Sequence, residues 1–180
     1  MLGKRNIYLI GPMGTGKTAV GKQLGRLLCM PFLDSDAEIE RVAGVDIPYI
    51  FEEEGEAGFR RREHEALLEL TQREPLVLAT GGGAILAPEN RQLLRDNGVV
   101  VFLQTSVAQQ LHRVGSGRGR PLLHGADMAR KLEELRRVRE PLYREIADLT
   151  LATDGRRVGK VAELILQHLG LPPGGLSQHG

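Results

Sequence analysis

Gly11-Pro12-Met13-Gly14-Thr15-Gly16-Lys17-Thr18 reads as G-x-x-x-x-G-K-[ST], and its flanks decide the fold. Before it stands the apolar run Ile7-Tyr8-Leu9-Ile10, and after it Val20, Leu24, Leu27 and Leu28 recur at helical spacing. Strand, glycine loop and helix in that order make a phosphate-binding loop. Gly11, Gly14 and Gly16 lack a Cβ, so the backbone can take positive φ and aim successive N–H groups at a polyphosphate seated on the N-terminus of the helix. Lys17 brings a positive charge to the β- and γ-phosphates and Thr18 a hydroxyl to Mg²⁺. A nucleoside triphosphate is the expected ligand, held by Gly14, Thr15, Gly16, Lys17, Thr18 and Ala19.

Composition bounds the kind of protein that carries this loop. At 180 residues, 41% hydrophobic and 26% charged, the chain matches a globular protein with one domain, expected over residues 1–170; residues 171–180 read as a disordered tail. A net charge of +1, 4% aromatic residues and no Trp argue against nucleic acid as a partner. Lys4-Arg5 precedes only four apolar residues, too few for a signal-peptide core, and no run approaches the ~18 residues of a membrane span. The expected setting is the cytoplasm, without a membrane partner. The single Cys29 cannot form an internal disulfide and, following Leu27 and Leu28, reads as a small core residue.

Further along, Pro31-Phe32-Leu33 reads as a short strand delivering Asp34-Ser35-Asp36 to the ligand side of a parallel sheet, although Asp36 could equally cap a helix over residues 37–42. A second helical pattern, Phe59, Ala66, Leu67 and Leu70, follows a Gly-rich acidic stretch over residues 52–58. On it Arg60 and Glu63 stand three apart and can meet. Leu76-Val77-Leu78-Ala79-Thr80 is a strand apolar on both faces, running into Gly81-Gly82-Gly83. Many phosphate-loop proteins end this strand with a metal-holding Asp; here Asp34 is the best substitute, and the three glycines imply either something close against bare backbone or a merely flexible turn. Val99-Val100-Val101-Phe102-Leu103 is the clearest strand and belongs at or near the sheet centre. Gly115, Gly117, Gly119, Arg118 and Arg120 make residues 114–125 either a basic lid over the nucleotide or a disordered loop. A helix on Met128, Leu132 and Leu135 should stop near Pro141, which would place Arg139 at its C-terminal end, where a cation suits the helix dipole. Leu149-Thr150-Leu151-Ala152-Thr153 supplies a fifth strand, and Val161, Leu164, Ile165 and Leu169 a last amphipathic helix. The expectation is an α/β fold: a five-stranded parallel sheet with helices on both faces and a mobile lid.

Taken in order, Gly11 to Thr18, Asp34-Ser35-Asp36, Glu56-x-x-Phe59-Arg60, Thr80-Gly81-Gly82-Gly83, Arg120-Pro121-Leu122-Leu123 and Arg139-x-Pro141-Leu142-Tyr143 resemble the shikimate kinase family. The resemblance implies a nucleoside-monophosphate-kinase-like fold and transfer of phosphate from ATP, with Mg²⁺, to the 3-hydroxyl of shikimate on the route to chorismate and the aromatic amino acids. It further implies that Asp36 meets the substrate hydroxyls and that Arg60 and Arg139 bind its carboxylate. Gly81, Gly82 and Gly83 would line the acceptor, Arg120 would reach the phosphates from the lid, and Arg113 and Arg156 would lie near the adenine. Lys17, Asp36 and Arg120 are then the catalytic set, Thr18 and Asp34 the metal ligands, and ATP and shikimate the partners of a monomer.

Two rivals define the tests. A kinase for another polyol acid, gluconate for example, would share the phosphate loop, an arginine and an Asp. A GTP switch or a regulatory module that binds nucleotide without catalysis comes from another class. None of Asn6, Asn90 and Asn97 opens the Asn-Lys-x-Asp guanine motif, however, and Lys17 and Asp36 are both present.

Overall fold

The computed structural model describes residues 6–115 and 125–171. In chain order the elements are β1 Asn6–Ile10, α1 Lys17–Leu28, β2 Phe32–Asp34, α2 Ser35–Ala43, α3 Ile47–Leu70, β3 Val77–Ala79, a short 3-10 helix Ala84–Leu86, α4 Pro88–Asn97, β4 Gly98–Gln104, α5 Val107–Gly115, α6 Gly125–Ile146, β5 Leu149–Ala152 and α7 Val158–His168. The strands form one parallel sheet in the order β2-β3-β1-β4-β5, with Ile7 of β1 in register with Val77 on one side and Val99 on the other. β1 is therefore the central strand and β4 its neighbour.

Side chains alternate across this sheet and divide the core in two. Tyr8, Ile10, Leu78, Val100 and Phe102 face Leu67 and Leu70 of α3, Leu94 of α4, and Tyr143 and Ile146 of α6. Ile7, Leu9, Val77, Val101 and Leu103 face Val20, Leu24 and Leu28 of α1 and Val161 and Ile165 of α7. Helices cover both faces, as a parallel sheet requires. Among the described residues, no helix is long and apolar enough to cross a membrane. Residues 116–124, which hold most of the expected lid and Arg120, lie outside the described residues, as do residues 172–180 of the expected tail.

Four local expectations change. Helix α6 does not stop at Pro141 but continues to Ile146. Losing one hydrogen bond at a mid-helix proline costs about 3 kcal/mol. Beyond it, Tyr143 and Ile146 are 2% and 4% exposed in the core, and burying two such side chains contributes about 1.5–3 kcal/mol each. Arg139 consequently sits two turns inside α6, where helix-end electrostatics no longer explain it. The cap of α2 is Asp34, not Asp36: its Oδ1 accepts from the N–H groups of Asp36 and Ala37 at 2.9 and 3.2 Å. Helix α3 starts at Ile47, so the acidic stretch belongs to it, with a break at Gly55 (φ 72°, ψ −178°), a conformation open essentially to glycine alone. Cys29 is exposed, because it leaves α1 in a left-handed conformation (φ 53°) as the C-cap and turns away from the core.

Candidate active site

The carboxyl ends of β1, β2 and β3 bring together the phosphate loop, the Asp34–Asp36 stretch and the triple glycine, in the crevice where parallel sheets take their ligands. A cleft of about 720 Å³ opens there, bounded by residues 13–20, Asp34, Asp36, Thr80, Gly81, Gly82, Arg113, Arg139 and Arg156. Its volume suits a small-molecule ligand.

The loop has the backbone that phosphate binding needs. Gly14 and Gly16 are left-handed at φ 80° and 86°, Gly16 caps α1, and a Cβ on Gly11 would fall 2.3 Å from the Leu103 carbonyl oxygen. Lys17 is folded back on the loop, its Nζ donating to the carbonyls of Gly11 at 2.7 Å and Pro12 at 2.8 Å. Burial lowers its pKa to about 8, against the opposing pull of Asp34 and Asp36 and with some help from Arg139. Helix α5 grips the outside of the loop: Gln110 Nε2 donates to the Met13 carbonyl at 2.8 Å, and the Arg113 guanidinium to that of Gly14. Asp154 secures the start of α5 by accepting from Ser106 N–H at 3.2 Å and from the Thr105 hydroxyl; these bonds hold its pKa down. Two residues on, Arg156 donates to the Ala152 carbonyl at 3.2 Å.

At the other end of the cleft, each glycine of the triplet abuts a different charged side chain. A Cβ on Gly81 would lie 2.6 Å from Asp36 Oδ1, one on Gly82 would lie 3.3 Å from Arg139 Nη1, and one on Gly83 would lie 2.5 Å from Arg60 Nη2. Three side chains from α2, α6 and α3 thus converge on backbone that only glycine leaves bare. Arg60 is steadied by Glu63, 1% exposed, through an Nη1–Oε1 contact of 2.8 Å, and more loosely by Glu56 at 3.6 Å; its guanidinium carbon lies 5.3 Å from the Phe59 ring centroid. Burial raises the pKa of Glu63, and Arg60 opposes the rise. Burial and then the neighbouring Asp34 raise that of Asp36, whose buried Oδ1 has no hydrogen-bond partner among the described residues.

Thr18 Oγ1 lies 3.4 Å from Asp34 Oδ2 at the mouth of the loop. A hydroxyl and a carboxylate beside a phosphate loop suit Mg²⁺, which takes one or two protein oxygens and completes its shell with phosphate and water. Among the described residues no group of three His, Cys, Asp or Glu side chains could hold a metal by itself, so this pair is the candidate.

Sequence reasoning named Asp36, Arg60 and Arg139 but missed two hydroxyls that fix the backbone between them. Ser35 Oγ accepts from Gly81 N–H at 3.0 Å, and the Tyr143 hydroxyl donates to the Gly82 carbonyl. Both stood in the sequence inside the quoted motifs, Ser35 between two acids and Tyr143 one turn after Arg139, but nothing there pointed to a hydrogen bond with the triple glycine.

The shikimate kinase family model matches residues 13–170. Among curated relatives, a shikimate kinase of Thioalkalivibrio sulfidiphilus is 56% identical over 163 residues, covering 91% of this chain and 86% of the relative. Among solved structures, the shikimate kinase of Acinetobacter baumannii in complex with shikimate superposes with a TM-score of 0.86 at 51% identity, covering 93% of each chain. A gluconokinase of Sinorhizobium meliloti, at 18% identity and a TM-score of 0.55, shares the fold alone. With the family model spanning most of the sequence and relatives above half identity along nearly all of it, the chain belongs to the shikimate kinase family.

Proposed function

We propose that this protein transfers the γ-phosphoryl group of ATP to the 3-hydroxyl of shikimate. The observation that carries the reading is the triple glycine with Asp36, Arg139 and Arg60 set one against each residue, at the far end of a cleft that begins at the phosphate loop. One carboxylate and two guanidinium groups around bare backbone fit a small polyol acid. The guanidinium groups of Arg60 and Arg139 grip its carboxylate, for which planar forks are better suited than ammonium groups. Gly81, Gly82 and Gly83 allow its ring to lie close, and Asp36 takes its hydroxyls.

Phosphoryl transfer asks the protein mainly for position and charge. The loop N–H groups from Gly14 to Ala19 hold the phosphates. Lys17 leaves the carbonyls of Gly11 and Pro12 for the β- and γ-phosphates, and Arg120 joins it from the segment before α6. Asp36 orients the attacking hydroxyl and accepts its proton; burial and Asp34, by raising its pKa, make it a better acceptor. Thr18 and Asp34 would hold Mg²⁺, which supplies charge neutralisation across the phosphate oxygens when bound. Arg113 and Arg156 line the same cleft and would meet the adenine. One chain supplies every residue in this account, so a monomer folded as one domain over residues 1–170 suffices, working in the cytoplasm where ATP is at hand.

The test is ADP release with ATP, Mg²⁺ and shikimate, against omission of each and against gluconate in place of shikimate. Turnover that needs all three, with gluconate inactive, is the expected result. Equal turnover on gluconate, or ADP release indifferent to shikimate, refutes the reading.

A further inference from the structure

The triple glycine has to hold its own conformation, and the structure shows what grips it. Tyr143 lies on α6 one helical turn after Arg139, 2% exposed, with its ring stacked on Phe102 at a centroid distance of 4.9 Å. Its hydroxyl donates to the Gly82 carbonyl. A Cβ on Gly82 would stand 3.3 Å from Arg139 Nη1 and 3.7 Å from the Tyr143 hydroxyl, so guanidinium and phenol flank the same glycine. For packing alone phenylalanine would serve, since burying a hydroxyl costs free energy unless it is hydrogen-bonded. Burial also pushes the phenol pKa up to about 12, which keeps it a neutral donor at any pH where the enzyme works. One residue earlier, Ser35 Oγ fixes the Gly81 N–H, so this short segment is held from both sides of the acceptor end.

We infer that Tyr143 is a positioning residue of the acceptor site: its hydroxyl fixes the Gly82 carbonyl, and with it the backbone against which the Arg139 guanidinium rests, and so sets where that guanidinium meets the acceptor's carboxylate. This rests on the reading of Arg139 as a carboxylate ligand. Arg139 contacts the acceptor in that account, whereas Tyr143 acts through Arg139 and Gly82.

The experiment compares Tyr143→Phe, which keeps the ring and its stack, with Arg139→Lys, the double variant and Phe102→Leu. Loss of one such hydrogen bond should raise the shikimate KM of Tyr143→Phe by about tenfold, with kcat within about threefold and the ATP KM unchanged. In the Arg139→Lys background the same change should cost less than about twofold, because residues acting through one another are not additive. Phe102→Leu, which loosens the ring but keeps the hydroxyl, should lower the thermal midpoint more than it raises the shikimate KM. The inference is overturned if Tyr143→Phe retains the wild-type shikimate KM, if its effect multiplies fully with that of Arg139→Lys, if Phe102→Leu shows the same acceptor defect, or if Tyr143→Phe does not fold. Arg139→Lys with an unimpaired shikimate KM refutes the carboxylate reading itself. Arg139→Lys impaired beside an unimpaired Tyr143→Phe refutes only the role of the hydroxyl.

Discussion

Because Lys17 rests on its own loop with a pKa of about 8, ATP binding should draw in a proton at alkaline pH. In the free protein desolvation outweighs the attraction of Asp34 and Asp36, and the ammonium gives up its proton unusually early. Bringing the β- and γ-phosphates alongside adds negative charge and raises the pKa again. With a free-state pKa of about 8, Lys17 is roughly nine-tenths protonated at pH 7 and one-tenth at pH 9, so the dissociation constant for ATP should rise by about tenfold between them. A non-hydrolysable ATP analogue titrated calorimetrically, at constant free Mg²⁺ and in two buffers of different ionisation enthalpy, reads affinity and proton uptake together. Uptake should approach one proton at pH 9 and nearly vanish at pH 7. Lys17→Arg, whose guanidinium does not titrate in this range, should show neither slope nor uptake. The same shift sets the sign for stability. Between about 8 and the ordinary 10.5 the unfolded chain holds more protons than the folded one, so Lys17 makes the nucleotide-free protein more stable as pH rises through that window. A wild-type affinity flat from pH 7 to 9, without proton uptake, would show that Lys17 is not the group that meets the phosphates from this state.

Asp36→Asn should abolish most turnover, leave ATP affinity nearly unchanged and raise the thermal midpoint at pH 7. The raised pKa means that folding penalises the carboxylate above its folded pKa, and the gain should shrink as pH falls toward the ordinary Asp value of 3.8. A lowered midpoint at pH 7 would contradict this. Arg60→Lys and Arg139→Lys should each raise the shikimate KM with folding barely altered, because an ammonium cannot reproduce the two parallel hydrogen bonds of a guanidinium, and the methyl ester of shikimate should be a poor substrate for the wild-type enzyme. An ester phosphorylated as well as the acid would refute the carboxylate clamp. Gly83→Ala places a methyl group 2.5 Å from Arg60 Nη2, so its shikimate KM should rise while its ATP KM holds; equal change in both would point to general disruption instead.

The strands were legible because each is a short apolar run with a break in the apolar pattern at its ligand end, and the β1 loop was legible because its three glycines and Lys17-Thr18 have one joint use. What lay beyond reach was decided by tertiary packing. Pro141 signals a stop locally, but Tyr143 and Ile146 after it are core residues, and their burial carries the helix through. Asp34 and Asp36 present the same chemistry at a helix start; which one caps depends on where α2 begins, a matter of two residues. Asp36, Arg60 and Arg139 could be named, yet nothing in a linear pattern says that each abuts its own glycine, since they come from three helices. Cys29 followed two leucines into a core expectation that the turn ending α1 undoes.

Placing β1 at the middle of the sheet carries a consequence for how the chain is made. Its two ladder partners are Val77–Ala79 and Gly98–Gln104, so one edge of β1 stays unpaired until about seventy residues have followed it and the other until about ninety. Contacts so distant along the chain form late, and apolar strand edges left open are sites where nascent chains associate with one another. The phosphate loop hangs from the end of that strand, its Gly11 close against the Leu103 carbonyl of β4 and its Met13 carbonyl held by Gln110 of α5. A growing chain therefore gains the nucleotide site only as its central ladder closes, and competence to bind ATP can serve as a clock for folding during synthesis.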